Sequence, residues 1–284
     1  QIEVYMSRNE GRLGSSDQTG ATDAPPIIEK KSILDFVLPT EFVELPTKGK
    51  FYSEEHPLHN NESIEIRYMT AKDTDILTSK SLLKKGVAVD RMLQNIIVDE
   101  SIRVDDLYPG DKNALLIAAR INGFGPEYKT KITCPSCGVV KENSFNLESL
   151  GCDGFETETS VSSHGTFSVE LPVTKVSVEC RLLTGADEKK IFMQSEKRKK
   201  HNLPETSLTD QYKLFIVSIE SETERGLVEK FVALMPARDA SYLRSVYEKA
   251  CPNIDLSHDF SCDSCDAEAQ INIPFSANFF WPGR

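Results

Sequence analysis

The sequence lacks a long apolar run and is poor in the side chains from which catalytic sites are most often built. No stretch approaches the roughly 20 apolar residues that a membrane-spanning helix needs, so no membrane span is expected. The 284 residues include only 5 histidines and 1 tryptophan. No phosphate-binding loop, dinucleotide fingerprint, nucleophile elbow or zinc-protease motif occurs. We therefore predict that the protein is not an enzyme.

Positive charge is scarce relative to negative charge. The chain carries 33 lysines and arginines against 44 aspartates and glutamates, which gives a formal net charge of −11. A protein that binds duplex nucleic acid usually shows a basic excess, so nucleic acid is not an expected partner.

The first residues lack the basic, apolar and small-residue pattern of a secretory signal, and Met6 fits a natural start. Reduced cysteines are therefore expected.

Four of the seven cysteines form two CxxC pairs, Cys134 with Cys137 and Cys262 with Cys265. Each pair is typical of a tight turn whose two thiolates point the same way, which is half of a tetrahedral site for a soft metal. Two such halves make a closed site with no position left for chemistry. The spacing therefore predicts a structural Zn²⁺ ion with these four ligands, joining the middle of the chain to its C-terminal part.

Other roles for the cysteines remain open at this point. A redox CxxC requires a helix N-terminus that lowers the thiol pKa, whereas both pairs lie between predicted strands. Cys251 or His258, near the second pair, could replace one metal ligand. Cys152 and Cys180 are predicted to be ordinary small apolar residues.

The pattern of apolar residues predicts an α+β fold with an N-terminal helical unit carrying a small sheet, a split four-cysteine zinc ribbon and an inserted hairpin-plus-helices lobe. The first residues are rich in Gly, Ser, Thr, Asp and Pro, which favours a flexible arm. No internal repeat beyond the paired CxxC motifs is evident. The predicted units are the arm at 1–31, an α+β unit at 32–133, the first half of the ribbon at 134–150, the inserted lobe at 151–250, and the second half of the ribbon with an aromatic tail at 251–284.

Several helices can be placed from their ends and periodicity. Thr70 followed by Asp73 has the form of a capping box and predicts one helix that runs to Gly86. An apolar repeat predicts a second helix over 89–97, and a proline-led helix should follow over 109–123. In the second half we expect a hairpin and then helices over 186–200, 208–221, 226–234 and 237–249.

Two surface segments have alternative interpretations. The basic run at 196–201 falls at a predicted helix end, where cations offset the helix dipole; the alternative is contact with an acidic partner or incidental nucleic acid contact. The aromatic residues 279–281 either fold onto the protein's own core or anchor it in a neighbour's pocket.

Several segments taken together resemble the T4-type baseplate hub subunit family of contractile-tailed bacteriophages. The resemblance covers roughly residues 40–284 and leaves the arm outside it. Each segment is short, but their order and spacing are specific. The matching segments are 45–52, 69–79, 83–86, 110–114, 118–123, 134–138, the second CxxC pair and 279–282.

The resemblance implies a structural or assembly role, without catalysis, in the baseplate at the tip of a phage tail. It implies that other baseplate hub, spike or tape measure proteins are the partners, and that the protein is found in the virion and, during assembly, in the host cytoplasm. The alternatives are a transient hub-assembly factor that is absent from the virion and a zinc-ribbon protein that binds nucleic acid. The zinc ligands rest on spacing alone, not on the resemblance.

Overall fold

The computed structural model describes residues 38–151, 161–204, 206–274 and 279–280. The chain divides into two compact units, 1–37 and 38–284, and the first of them, with the predicted arm, lies outside the described residues. The described part contains eight α-helices and four small antiparallel sheets, which confirms the α+β class. No helix within it combines the length and apolar character that crossing a bilayer requires.

The first half of the described chain opens and closes with a β-hairpin. Strand β1 pairs with β2, a single bridge adds Ile97 beside β2, and β3 pairs with β4. The predicted helix from Thr70 to Gly86 is in fact two helices, because Ser79 takes an extended conformation (φ −63°, ψ 109°). The elements are β1 (Thr40–Glu44), β2 (Ser63–Arg67), α1 (Ala71–Thr78), α2 (Lys80–Lys84), α3 (Ala88–Ile96), α4 (Pro109–Phe124), β3 (Glu127–Thr133) and β4 (Val140–Asn146).

The second half also begins and ends with a hairpin. The helix expected over 208–221 is correct only to Phe215, where α6 ends. The next residues form β7, which pairs with β6, because a β-branched segment beside an open strand gains more from sheet pairing than from helix propensity. The elements are β5 (Thr166–Glu170), β6 (Ser177–Arg181), α5 (Gly185–Lys200), α6 (Ser207–Phe215), β7 (Ile216–Ile219), α7 (Arg225–Leu234), α8 (Ala237–Ala250), β8 (Ser257–Ser261) and β9 (Glu268–Asn272).

The two halves repeat one order of elements. Each has a hairpin, a helix capped by threonine, a nine-residue helix, an added β pair, a longer helix and a hairpin that carries CxxC at its tip. The first hairpins even share their register: Thr40 faces Arg67 as Thr166 faces Arg181, and Glu44 faces Ser63 as Glu170 faces Ser177. The expectation that no internal repeat exists beyond the CxxC pairs was therefore wrong.

The repeat is hidden in the sequence because few residues match and the loops differ in length. The strand-end segment Val-Glu-Leu-Pro occurs at 43–46 and again at 169–172. The connection that follows runs over 45–62 in the first half but only over 171–176 in the second. A fixed-period comparison therefore loses its alignment within the first hairpin.

A buried carboxylate joins strand to helix at the same place in both halves. Asp73, the third residue of α1, accepts hydrogen bonds from the Thr70 amide at 2.7 Å and from Arg67 Nη1 at 2.7 Å. In the second half, Asp187 of α5 accepts from Arg181 Nη1 at 2.7 Å and from the amide of Thr184. Because the arginine ends a strand and the aspartate opens a helix, each ion pair fixes the angle between the two elements.

In each half, a second aspartate joins the loop of the first hairpin to the last helix of that half, α4 or α8. Asp111 of α4 accepts hydrogen bonds from the Thr47 amide at 3.0 Å and from its hydroxyl at 2.7 Å. Asp239 of α8 accepts from the amides of Val173 at 2.7 Å and Thr174 at 3.0 Å. Both carboxylates are fully buried, so each satisfies loop amides that would otherwise lack partners.

The apolar side chains form two clusters. The first gathers the apolar faces of β1–β4, α1, α3 and α4, together with residues of β8, the segment after β9 and Phe279 and Phe280. The second is built on β5–β7 and α6–α8, with Phe51 contributed by the first half. The last hairpin thus packs with the first half of the chain, which brings the two CxxC motifs to one place. The bounds of the predicted units stay a prediction.

Substituting Asp187→Asn should lower the free energy of unfolding by about 1–3 kcal/mol at neutral pH, because Arg181 loses its buried anion. Burial raises the pKa of the Asp187 carboxyl, but hydrogen bonds from Arg181 and Thr184 outweigh burial and lower the pKa to about 2. The unfolded pKa is about 3.9. The stabilisation is therefore present above about pH 4 and is lost as the pH falls towards 2.

Urea unfolding of wild type and Asp187→Asn over this pH range is the measurement. The difference between the two proteins should shrink on acidification, and a difference independent of pH would contradict the prediction. Asp259→Asn, at an exposed position of β8, is the control and should change the unfolding free energy by less than about 0.5 kcal/mol.

Substituting Gly110→Ala should lower the free energy of unfolding by about 1–3 kcal/mol. Gly110 is the second residue of α4, and an added Cβ would overlap the carbonyl group of Pro252. The matched control is Gly226→Ala, the second residue of α7, where the nearest atom lies 3.5 Å from the added Cβ. That change should stabilise by about 0.4–1 kcal/mol. Equal effects of both substitutions on the thermal midpoint would refute the close contact at Gly110.

Candidate metal centre

Two hairpin tips carry the predicted ligands. The first knuckle (residues 134–138) joins β3 to β4, and the second knuckle (residues 262–266) joins β8 to β9. The Gly138 amide donates to the Cys134 carbonyl at 3.0 Å, and the Asp266 amide donates to the Cys262 carbonyl at 2.8 Å. The two turns are therefore closed by the same backbone hydrogen bond.

Each turn needs a left-handed residue directly after its second cysteine. Gly138 has φ 73° and Asp266 has φ 52°. Glycine adopts this conformation freely, and aspartate is among the few other residues that tolerate it. The sequence analysis did not find the role of Asp266; its equivalence in position to Gly138 is the signal that could have found it.

The four sulfur atoms meet at one point. Cys134 Sγ lies 3.8 Å from Cys265 Sγ, Cys137 Sγ lies 3.8 Å from Cys262 Sγ, and all four atoms lie within 4.8 Å of one another. These separations exceed the roughly 2.05 Å of a disulfide. A tetrahedral metal with metal–sulfur bonds of about 2.3 Å needs sulfur–sulfur edges of about 3.8 Å. The four cysteines therefore lie where they could hold a metal ion, and the donor set fits a soft metal.

The burial of the four cysteines has the same pattern in both knuckles. The first cysteine of each knuckle, Cys134 or Cys262, is buried, and the second, Cys137 or Cys265, is exposed. The close sulfur pairs join the buried cysteine of one knuckle to the exposed cysteine of the other. With four protein ligands filling a tetrahedron, no position remains for a substrate, which is typical of structural rather than catalytic sites.

Backbone amides favour a thiolate at Cys134. The N–H of Cys137 points at the sulfur of Cys134 and, with the N–H of Ser136, lowers the pKa of that thiol to about 6 although burial opposes the shift. Beside the four sulfurs, the Lys141 ammonium group of β4 pairs with the Asp263 carboxylate of the second knuckle. The two amides thus stabilise a negative charge on the Cys134 sulfur.

The alternative ligands do not belong to this group. His258 packs edge-to-face on Phe145 with ring centres 4.9 Å apart. Cys251 follows α8 and lines a different cavity, beside Tyr247. Cys180 is fully buried in the second apolar cluster, as expected for a small apolar residue. Cys152 lies outside the described residues. Within the described ranges, the cysteine group contains the four predicted residues and no other side chain.

The C-terminal aromatic residues pack against helix α4 and strand β3. Phe279 and Phe280 are buried, and Arg120 of α4 donates from Nε to the Phe279 carbonyl at 2.6 Å. Tyr128 of β3 stacks edge-to-face on Phe279 with ring centres 5.0 Å apart. The described part of the tail therefore folds onto the protein's own core, and Trp281 lies outside the described residues. Arg120, fully buried, was missed because a charged residue in a helix is usually exposed.

The basic run at 196–201 ends α5, as predicted. Its side chains are exposed or partly exposed, and Lys199 pairs with Glu196 at 3.6 Å. This placement puts cations at the negative end of the helix dipole.

Comparison with known proteins supports the resemblance. A family model described as T4 bacteriophage base plate protein matches residues 40–281. No curated protein and no solved structure matches the chain. Membership implies a place in a phage tail, among other proteins of the baseplate. Since the match covers nearly all of the described residues and both knuckles, the chain belongs to the T4 bacteriophage base plate protein family.

Proposed function

We propose that the protein is a structural or assembly component of the baseplate hub of a contractile-tailed phage, without catalytic activity. We further propose that Zn²⁺ bound by Cys134, Cys137, Cys262 and Cys265 stabilises it. The observation that carries the proposal is the closed group of four sulfurs, contributed equally by the two halves of a chain that belongs to a baseplate family. Such a site fastens a fold and leaves no room for a substrate.

Zinc would act on folding rather than on chemistry. In small zinc modules the apparent binding free energy is about 10–16 kcal/mol, and it becomes folding free energy because the unfolded chain has no preformed site. Here the ion would join two hairpins that lie far apart in the sequence but pack in the same apolar cluster. The expected result is a rigid body that presents fixed surfaces to its neighbours.

The absence of catalysis is supported by the use of the buried carboxylates. Asp73, Asp111 and Asp187 accept hydrogen bonds from the fold's own threonines, arginines and amides. Side chains occupied in this way hold elements together and are not positioned to exchange protons with a substrate. This argument agrees with the motifs missing from the sequence.

The proposed neighbours are other hub, spike or tape measure proteins, in the virion and, during assembly, in the host cytoplasm. A transient hub-assembly factor that leaves before the virion is complete is the second candidate. A zinc-ribbon nucleic-acid binder is disfavoured by the net charge of −11.

Removing the metal should destabilise the whole described fold. Purified protein should contain one equivalent of zinc by elemental analysis, and chelation should lower the thermal midpoint by more than about 10 °C, since several kcal/mol are at stake. The double substitution of Cys134→Ser and Cys262→Ser should abolish zinc binding and reproduce this loss, because each knuckle loses its buried ligand. Acidification should release the ion, because protons compete for the thiolates.

The matched control is Cys251→Ser, which removes a cysteine outside the group of four sulfurs. It should leave the zinc content unchanged. Iron in place of zinc would correct the identity of the metal. Protein that is folded without metal and insensitive to chelation would contradict the proposal that a metal ion stabilises the fold.

The position in the phage can be tested directly. Mass spectrometry of purified virions should detect the chain at a small fixed number of copies per tail. Detection in assembling tails together with absence from finished virions would instead establish the transient factor. Cryo-electron microscopy of the tail tip then assigns its neighbours, and a position in the tail remote from the hub would overturn the hub assignment.

A further inference from the structure

The first strand of the first half has a free edge. β1 pairs with β2 and with no other described strand. The Leu45 amide, just after β1, donates to the Glu62 carbonyl at 2.8 Å, and in an antiparallel pair only every second residue bonds to the partner strand. The N–H and C=O groups of Thr40 and Phe42 therefore point away from β2. In the described part of the chain these groups have no hydrogen-bond partner.

The second half shows how the same edge can be closed. Thr166 of β5 is the counterpart of Thr40 in the shared register of the two hairpins. The Thr166 carbonyl accepts from the Ser162 amide at 2.8 Å, and the Thr166 amide donates to Ser162 Oγ at 3.2 Å. The chain thus satisfies this edge itself in the second half, whereas the edge of β1 stays open among the described residues.

The outer face of the first sheet carries an exposed aromatic ring. Phe42 is 67% exposed, and Val98, on the far side of β2, is 45% exposed. Glu65 lies between them, opposite Phe42 in the register and bonded through its carbonyl to the Val98 amide at 3.1 Å. At the position equivalent to Phe42 the second half has Ser168. Only the first half therefore combines an open strand edge with exposed apolar surface, which is typical of a site for strand addition.

Negative charge surrounds this edge. The segments 40–44, 62–67 and 97–100 of the sheet contain one cation and six carboxylates: Glu41, Glu44, Glu62, Glu65, Asp99 and Glu100. The cation, Arg67, is already paired with the buried Asp73 at 2.7 Å. The next lysines along the chain lie in the adjoining loop and helix: Lys48, Lys50 and Lys72. A partner that pairs with this edge is therefore expected to be basic.

The order of side chains within β1 specifies the complement. The strand reads Glu-Phe-Val-Glu over 41–44, with its two glutamates on opposite faces and two apolar residues between them. Opposite charges and apolar pairs across strands stabilise a sheet, so the best partner presents basic, apolar, apolar and basic side chains in that order. A second copy does not fit this pattern. It matches both apolar residues only when Phe42 lies opposite Val43, and that register places Glu41 opposite Glu44, which is destabilising.

We infer that the free edge of β1 binds an extended segment of another baseplate protein as an added strand, and that this segment is basic and apolar. The inference rests on the proposed role among baseplate neighbours. Backbone hydrogen bonds to Thr40 and Phe42 supply affinity for any extended chain, and the Phe42 ring with the two glutamates of β1 supplies the preference for sequence. The six carboxylates repel nucleic acid and anionic lipid.

Titration of the ¹⁵N-labelled full chain, as purified, with two synthetic peptides tests the inference by nuclear magnetic resonance. The peptide Thr-Lys-Val-Val-Lys-Thr should shift the amide signals of Thr40 and Phe42. It should bind about tenfold more tightly than Thr-Glu-Val-Val-Glu-Thr, because cross-strand charge pairs change from attraction to repulsion. The basic peptide with both valines N-methylated should not bind, because it lacks a backbone donor for the strand edge.

Variants of the protein separate the contributions of the ring and the charges. Phe42→Ser, which copies the residue of the second half, should weaken binding of the basic peptide about tenfold or more. Glu41→Lys with Glu44→Lys should reverse the preference between the two peptides. The matched control is Leu234→Ser, which changes an 82% exposed apolar residue of α7 and should leave binding unchanged. Circular dichroism establishes that each variant is folded.

Several outcomes would overturn the inference. They are equal binding of the two peptides, signal shifts that spare Thr40 and Phe42, and no binding of either peptide at millimolar concentration. Self-association of wild type that Phe42→Ser removes would instead assign the edge to a second copy. The search for the chain in purified virions decides the proposed function separately, since the chain can be part of the tail even if this edge binds no peptide.

Discussion

The meeting of four cysteine sulfurs from two hairpin tips is the constraint on which the arrangement depends. Four thiols within 4.8 Å of one another cannot all ionise without a cation between them. The hairpins that carry them begin in different halves of the chain but share one apolar cluster. The position of each hairpin is therefore tied to that of the other, and the helices α4 and α8 that precede them are tied as well.

The internal repeat gives this centre its form. Each half supplies one knuckle, with one buried and one exposed cysteine, so the group of sulfurs resembles the interface of a dimer whose two subunits have become one chain. The same doubling appears in Asp73 and Asp187, which join strand to helix by equivalent bonds. Because both cysteine pairs lie on one chain, two molecules need not meet before the four sulfurs could hold a metal ion.

Local signals in the sequence predicted the parts that local chemistry determines. The capping box at Thr70 and the helix over 89–97 depend on neighbouring residues and were placed correctly. The two CxxC pairs also lie together, as their spacing led us to expect. Strand β7 was missed because Ile216 and its neighbours become a strand only through pairing with β6, which is distant in the sequence. The repeat was missed for a similar reason: it lies in register and hydrogen bonding more than in residue identity.

Doubling also allowed equivalent positions to diverge. Asp111 and Asp239 hold the same loop in each half, yet burial raises the pKa of the Asp111 carboxyl, whereas the amides of Val173 and Thr174 outweigh burial and lower the pKa of Asp239. The stabilisation linked to Asp111 is present below the ordinary carboxyl pKa and is lost as the pH rises through the raised pKa of this group. That of Asp239 is present above the ordinary carboxyl pKa and is lost as the pH falls through its lowered pKa. The two equivalent carboxyl groups therefore change their contributions to stability in opposite directions as the pH changes.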